Sequence, residues 1–477
     1  MDLGKYDAIV VGSGPNGLAA GITLQRSGLS TLIIEGSDSI GGGLRTKELT
    51  LNGFKHDVCS AIHPMAIASP FFKSLPLMDY GLEFTHATYP LSHPMDNNPT
   101  VTLYDDLKKT IDCLEGKDGQ NFGRLVEKII DHWEDYAEAI LAPLTFRSNF
   151  LKYSGFGLDA IQPATWTAKR FSNLRTKALW AGLAAHSIQP LSNFGTSAIA
   201  IILSAIASKS GWPIPVGGSK SIADAMVNYF KHLGGEIQTD IWIEDVNDLP
   251  NHKLLFLDLT PRQILRIKGL NFSIGYQSRL KNFRYGMGIF KMDWALSEKT
   301  PFKDNSCNHS ATVHLGNTFE EIVANEYNTF RGKKIEKPFV LFSQQSTFDK
   351  TRAPADRHIG WAYCHVPHGS EIDYSEEIEN QIERFAPGFK DTILARHIMR
   401  PKELEEYNPN YVGGDINGGI MDLRQLVARP VLGSKPYRTS LKNVYICSSS
   451  TPPGGGVHGM CGFHAAICAL QDHLGFE

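Results

Sequence analysis

Apolar residues along this chain of 477 residues recur in patterns that change period several times. The runs at 6–11 and 30–34 are short, continuous and rich in β-branched residues. Such runs read as strands buried on both faces, as in a parallel sheet. Between them, 18–27 has helical spacing and stops at Gly28. The same order of strand, glycines and helix returns twice. A helix over 221–233, capped by Ser219 or Ser221 and ended by Gly234-Gly235, precedes strands at 236–246 and 253–259. Near the end, a strand at 443–447 runs through glycines into a helix over 461–470. The intervening regions lose this rhythm. Residues 75–210 contain helical stretches at 122–141 and 178–187. Residues 266–427 predict a second sheet from strands at 287–294, 311–315, 339–343 and 359–366, with helices at 376–385 and 389–400. Asn52-Gly53, set between extended runs at 47–51 and 54–58, predicts a hairpin. The apolar run at 198–207 is shorter than the ~18 residues a bilayer span requires and reads as a buried helix, with a membrane-dipping or substrate-access surface as the alternative.

The turns carry the first chemistry. Gly12-Ser13-Gly14-Pro15-Asn16-Gly17 directly follows the first strand and opens the first helix, and Glu35 ends the second strand. In that setting each glycine has a task. Gly12 permits the tight turn, Gly14 lets backbone approach a pyrophosphate, and Gly17 lets helix and strand pack closely. The diphosphate then lies at the positive end of the helix, and Glu35 can accept from both ribose hydroxyls. A second cluster, Gly36 and then Gly41-Gly42-Gly43-Leu44-Arg45, adds small residues that line an anion concavity and an arginine for pyrophosphate or flavin oxygens. A third, Ser448 to Met460, includes Ser450, Gly454, Gly455, Gly456, Val457 and His458, and again opens a helix. The predicted fold class is α/β: a discontinuous Rossmann-like domain from 1–75, 210–265 and 428–477, with a mixed-sheet and helical substrate domain from 76–209 and 266–427.

Composition narrows the picture by exclusion. A net charge of −3 gives no electrostatic reason to expect nucleic acid as a partner. The seven cysteines include no CxxC pair, which argues against a disulfide framework, a zinc ribbon or a redox dithiol. The first strand starts near residue 6, which leaves no room for a leader and suggests a cytoplasmic location. No metal site is expected.

The glycine and arginine cluster after the first unit resembles that of FAD enzymes of the amine oxidase and phytoene desaturase superfamily. Taken with Ser450–Gly462, His365–Ser370 and Asn408–Gly414, the whole chain resembles the phytoene desaturase-related NAD(P)/FAD-dependent oxidoreductases, in the branch of pyridine nucleotide-disulfide oxidoreductase domain-containing protein 2. The resemblance implies FAD as cofactor, held by Gly12, Gly14, Pro15, Asn16, Gly17, Glu35, Gly36, Gly42, Gly43, Leu44, Arg45, Ser60, Ile243, Thr260, Ser450, Gly456, Val457 and His458. It also implies that residues 243–246 pass the adenine and that 56–64 run beside the flavin ring. Two departures stand out. Ser448–Ser450 occupy positions where many flavin oxidoreductases carry an acid. There is also a single GxGxxG, so neither a separate nicotinamide domain nor disulfide chemistry is expected.

Because a flavin carries hydride chemistry itself, the protein's part is positioning and electrostatics. His63, His365 and His458 are the candidate catalytic side chains, with Trp361 beside them, and His458 is a candidate for stabilising charge or relaying a proton. The expected function is oxidation or reduction of an apolar small molecule by desaturation, saturation or isomerisation of carbon–carbon bonds. A mainly regulatory or binding flavoprotein and an amine oxidase-like enzyme are the alternatives. A lipidic substrate would bring peripheral membrane contact; the oligomeric state is left open.

Overall fold

A computed structural model describes residues 6–143 and 154–474, and every candidate site residue falls within them. Two sheets organise the chain. The first is parallel, in the order β16 (Val444–Ile446), β10 (His252–Leu257), β1 (Tyr6–Val11), β2 (Thr31–Ile34) and β9 (Glu236–Gln238). Alternate residues of its strands enter separate cores. Ala8, Val10, Ile33 and Phe256 pack with Leu18, Ile22, Met226 and Ala465 from helices Pro15–Arg26, Lys220–His232 and Met460–Leu474. Ile9, Val11, Leu32 and Leu257 pack with Phe272, Tyr276 and Leu280 on the opposite side. Burial on both faces is why these strands read as continuous apolar runs.

The second sheet is mixed and seven-stranded: β15 (Ile393–Met399), β11 (Gly288–Leu296), β14 (His358–Val366), β13 (Val340–Ser343), β12 (Ser310–Leu315), β6 (Tyr89–His93) and β7 (Val101–Leu103). One face carries Phe290, Met292, Trp294, Phe342, Ala362 and Cys364 against Ile378 and Ile382 of helix Ser375–Phe385. The other carries Ile289, Leu341, Trp361 and Tyr363 against helices Leu174–Ala185 and Thr196–Ser210. Two-stranded pairs complete the set: β3 (Thr46–Glu48) with β4 (Lys55–Asp57), and β5 (Phe84–His86) with β8 (Pro213–Pro215). The first of these is the hairpin expected around Asn52-Gly53, with shorter strands.

Three sequence expectations are corrected. Residues 389–400 are not a helix: a short turn, Phe389–Thr392, leads into β15, which pairs with β11 at the sheet edge. Its exposure alternates from Ile393 to Arg396, a period of two that the apolar spacing concealed. The strand expected over 236–246 stops at Gln238, because Asp240 adopts a positive φ of 60° that extended pairing does not accommodate. The helix expected over 122–141 breaks at His132 into Gly116–Asp131 and Trp133–Ile140. The apolar run at 198–207 lies within helix Thr196–Ser210 and is buried from Ala200 to Ala207. No helix among the described residues is long and apolar enough to cross a membrane.

Candidate functional site

One cavity of about 760 Å³ runs from the carboxyl ends of the parallel strands to the inner face of the mixed sheet. Its near end is made by the turns that follow β1, β2, β10 and β16, the place where open α/β sheets bind ligands. Here the fit to a dinucleotide can be tested on the glycines. Gly12 has a φ of +103°, and an added Cβ would lie 3.0 Å from the Asp258 carbonyl. At Gly17 a Cβ would come within 2.1 Å of the Gly12 carbonyl oxygen, and at Gly14 within 2.8 Å of Asp258 Oδ2. Gly42, at φ +54°, brings its turn against the Gly14 backbone. Side chains are thus excluded from three sides of a cradle. The N-cap of helix Pro15–Arg26 is Gly14, which supplies no side-chain cap; Pro15 has no N–H and the Gly17 amide is taken by Asp258, so the Asn16 amide is the first-turn donor left for a ligand in the cradle. Thr260 Oγ1, a hydroxyl able to donate, is buried on this wall without a partner in the protein. A cradle of backbone at a helix start, with an unpaired hydroxyl on its wall, suits a diphosphate.

Glu35 is already oriented. Its Oε2 accepts from the Ser13 amide at 2.9 Å and the Ser13 hydroxyl at 2.6 Å, and its Oε1 from the Ser37 amide at 3.0 Å. Arg45 differs from its expected role. Its buried guanidinium donates to Ser39 O and to Glu35 Oε1, at 3.3 Å, and lies 5.3 Å from the centre of the Tyr407 ring. It therefore braces the second glycine loop and Glu35, while its presence on the cavity wall keeps it near the ligand.

Most of the other expected contacts lie on the same wall: Pro15, Gly36, Gly43, Ser60, Ile243, Gly456 and Val457. Three expected cofactor contacts and one catalytic candidate do not. Gly17 acts from beneath, through its close approach to Gly12. Leu44 is fully buried among Leu18 and Ala223. Ser450 is also fully buried, and its hydroxyl donates to Gly418 O at 2.7 Å. His365 sits behind the wall, Nδ1 within 2.8 Å of Glu326.

The remaining histidines are similarly occupied. The Met460 amide donates to His458 Nδ1 at 3.0 Å, so the proton is on Nε2, which faces Gly454 O at 3.2 Å. Both nitrogens serve the loop, and burial pulls the ring's pKa down to about 4. This corrects the expectation of a proton relay: no lone pair is left to take one. His63 lines the cavity; its Nε2 meets Ser219 Oγ at 2.7 Å, and Ser219 in turn donates to Ser60 O. The Ser219 hydroxyl is thereby drawn away from capping its helix. His63 Nδ1 has no partner, and burial pushes its pKa down to about 4, so the ring is neutral.

Two residues on this wall escape the sequence reading. Asp258 directly follows β10 and accepts from the Gly17 amide at 2.9 Å, locking turn to strand. Burial, with Glu35 nearby, pushes its carboxyl up to about 7. The available signal was its place at the carboxyl end of a strand predicted to lie in the same sheet. Trp242, although 65% exposed, packs its ring over Gly36, where a Cβ would meet it at 2.9 Å. A tryptophan next to the residues expected to pass the adenine was its only trace in the sequence.

The far end of the cavity is apolar, with Ile199, Ile202, Leu203, Trp212, Ile289, Leu341, Trp361 and Tyr363 on its walls. Behind Trp361 lie buried ion pairs. Arg352 meets Asp57 at 2.6 Å with both side chains fully buried, and Lys291 pairs with Asp293 beneath the Trp361 ring.

A family model described as NAD(P)-binding Rossmann-like domain matches residues 10–75, the cradle segment. Pyridine nucleotide-disulfide oxidoreductase domain-containing protein 2 of Mus musculus is 26% identical, over 98% of this chain and 94% of its own length. The chain is a homologue of that protein and of the phytoene desaturases. Among the latter, the lycopene-forming phytoene desaturase of a Paracoccus species is 22% identical and aligned over 97% of each chain. The structure of putrescine oxidase bound to putrescine superposes with a TM-score of 0.62 over 98% of this chain and 99% of that one, at 15% identity. That likeness places the fold among amine oxidase-type α/β architectures. The protein is an oxidoreductase with a Rossmann-type dinucleotide site.

Proposed function

We propose that the protein is an FAD-dependent oxidoreductase that desaturates, saturates or isomerises carbon–carbon bonds of an apolar small molecule. The observation that carries this reading is the continuity of one cavity, from a backbone cradle at its near end to an apolar chamber at its far end. FAD, when bound, supplies two-electron chemistry by taking up or giving back a hydride. The chain does the rest. The turn at Gly12–Gly17, through its backbone and the Asn16 amide, holds the diphosphate, and Glu35 holds the ribose. Trp242 packs against the adenine. Trp361, Tyr363, Leu341 and Ile289 orient the apolar substrate and exclude water.

The amine oxidase alternative finds less support. Among the described residues, the only carboxylates on the cavity wall are Glu35, Glu244 and Asp258, all at the nucleotide end. A protonated amine in the far chamber would lack an anionic partner. A regulatory flavoprotein has no need of so deep a chamber. A cytoplasmic enzyme touching membranes peripherally suits a lipidic substrate. The test is anaerobic titration of the FAD-loaded protein. Stoichiometric bleaching of the flavin by an apolar unsaturated or saturated compound is the expected result; bleaching by amines alone would overturn it.

A further inference from the structure

His186 ends helix Leu174–Ala185 and forms part of the far cavity wall beside Ile199, Ile202 and Trp212. Its Nε2 lies 2.9 Å from Nε2 of His314, which projects from β12. Only one of these two nitrogens can carry the proton they share. Behind them is a third ring, His93 at the end of β6, whose Nε2 donates to Asn317 O at 2.9 Å. The helix makes room for the rings with Gly182, where a Cβ would stand 2.5 Å from His314 Nδ1 and 3.2 Å from His93 Nδ1. Three histidines from a helix end and two neighbouring strands therefore stack inward from the chamber. Among the described residues, no group of three or more His, Cys, Asp or Glu side chains is placed to hold a metal ion.

The order of protons along this stack follows from accounting. Burial holds His186 and His314 well below the ordinary histidine range, so both rings are neutral. His314 Nδ1 and His93 Nδ1 are buried without partners. A buried nitrogen lone pair left unpaired costs less than an unpaired N–H. His314 therefore keeps its proton on Nε2 and donates it to His186 Nε2. His186 must then carry its own proton on Nδ1, the nitrogen without a protein partner. The stack fixes the tautomer of its outermost member and presents an N–H donor to a chamber that is mostly apolar, the hydroxyls of Thr312 and Tyr363 being its other polar groups.

We propose that the substrate is an apolar molecule with an oxygen, as carbonyl or hydroxyl, at the end that reaches His186, and that His186 Nδ1–H donates to that oxygen. This rests on the reading of the cavity as an apolar substrate site. His186 is then a specificity residue, and His314, with His93 behind it, positions it. A hydrocarbon of the same shape would leave the donor unpaired in a dry site, which is how such sites reject analogues that lack the oxygen.

The experiment is a binding titration of FAD-loaded protein with three ligands that share one carbon skeleton: farnesal, farnesol and β-farnesene. Tryptophan fluorescence reports occupancy, since Trp212 stands beside His186, with ring centres 6.0 Å apart. In the wild type, the aldehyde and alcohol are expected to bind about tenfold more tightly than the hydrocarbon, the equivalent of one net hydrogen bond. His186→Phe should abolish the difference, and His186→Asn should restore part of it. His314→Leu releases the tautomer and should reduce the preference to about threefold, a second readout should His186→Phe fail to fold. Equal affinities in the wild type, or an unchanged preference in the variants that fold, would overturn the proposal. If none of the three binds, the apolar-substrate reading falls with it.

Discussion

At the nucleotide end of the cavity the wall is backbone, with glycines packed so closely that three added methyl groups would fall within 3.0 Å of Asp258 or Gly12. At the far end it is side chain, contributed by strands spread over more than 70 residues of sequence (Ile289, Leu341 and Trp361) and backed by buried ions. A backbone seat tolerates no change in residue type but depends little on charge. A side-chain chamber tolerates exchange among apolar residues but depends on every buried charge keeping its partner.

The sharpest way to break this contrast is at Arg352. Arg352→Ala leaves Asp57 buried and unpaired, and a loss of about 3–5 kcal/mol in unfolding free energy is expected. Denaturation of the FAD-free protein measures it; Asp57→Asn with Arg352→Met should recover most of the loss. Next in size is Gly17→Ala. The clash with Gly12 O forces helix and turn apart, and FAD affinity should fall by roughly 100-fold, about 3 kcal/mol. Fluorescence titration of the apoprotein reads that change, and affinity within threefold of wild type would contradict the cradle.

Asp258 probes the join between the two kinds of wall. Its carboxyl is pushed up to about 7 from an ordinary 3.8, so the folded chain keeps a proton that the unfolded chain has lost. The stabilising effect of that proton is complete below pH 3.8 and is lost as the pH rises towards 7. Asp258→Asn removes the titration, so the variant should gain up to about 4 kcal/mol on wild type at pH 8 and nothing at pH 4. Melting temperatures at the two pH values decide it. The smallest effect is expected at His458. Its nitrogens are committed to the loop and burial pulls its pKa down to about 4, so it carries no charge change between pH 5 and 8. His458→Gln should leave the shape of the pH–rate profile in that range unaltered, whatever it does to turnover.

The same contrast explains what could be read in the sequence. Gly12, Gly14, Gly17 and Glu35 were legible because backbone geometry restricts residue type at fixed spacing. Both later returns to the parallel sheet were legible for that reason too. Asp258 was not, since a single acid at a strand end has no local signature. The histidine stack was invisible as well. His93, His186 and His314 are more than 90 residues apart in pairs, and only the pairing of β6 with β12 under helix Leu174–Ala185 unites them. His365 and His458 illustrate the reverse error: a histidine in a glycine-rich or aromatic context suggests chemistry, while both nitrogens of His458 are taken up by its own loop and His365 stands behind the cavity wall on Glu326.

Helix Met460–Leu474 lies so close to helix Pro15–Arg26 that a Cβ on Gly462 would stand 1.8 Å from the Asn16 carbonyl oxygen. The first and last segments of the parallel sheet's domain are thus pressed together, although the ribosome delivers them more than 440 residues apart. At about 5–20 residues per second, the early turn waits on the order of half a minute or more for the helix that covers it. A dinucleotide is therefore expected to be captured only after this seam closes, and chains starved of it should accumulate open at the seam, which limited proteolysis would reveal.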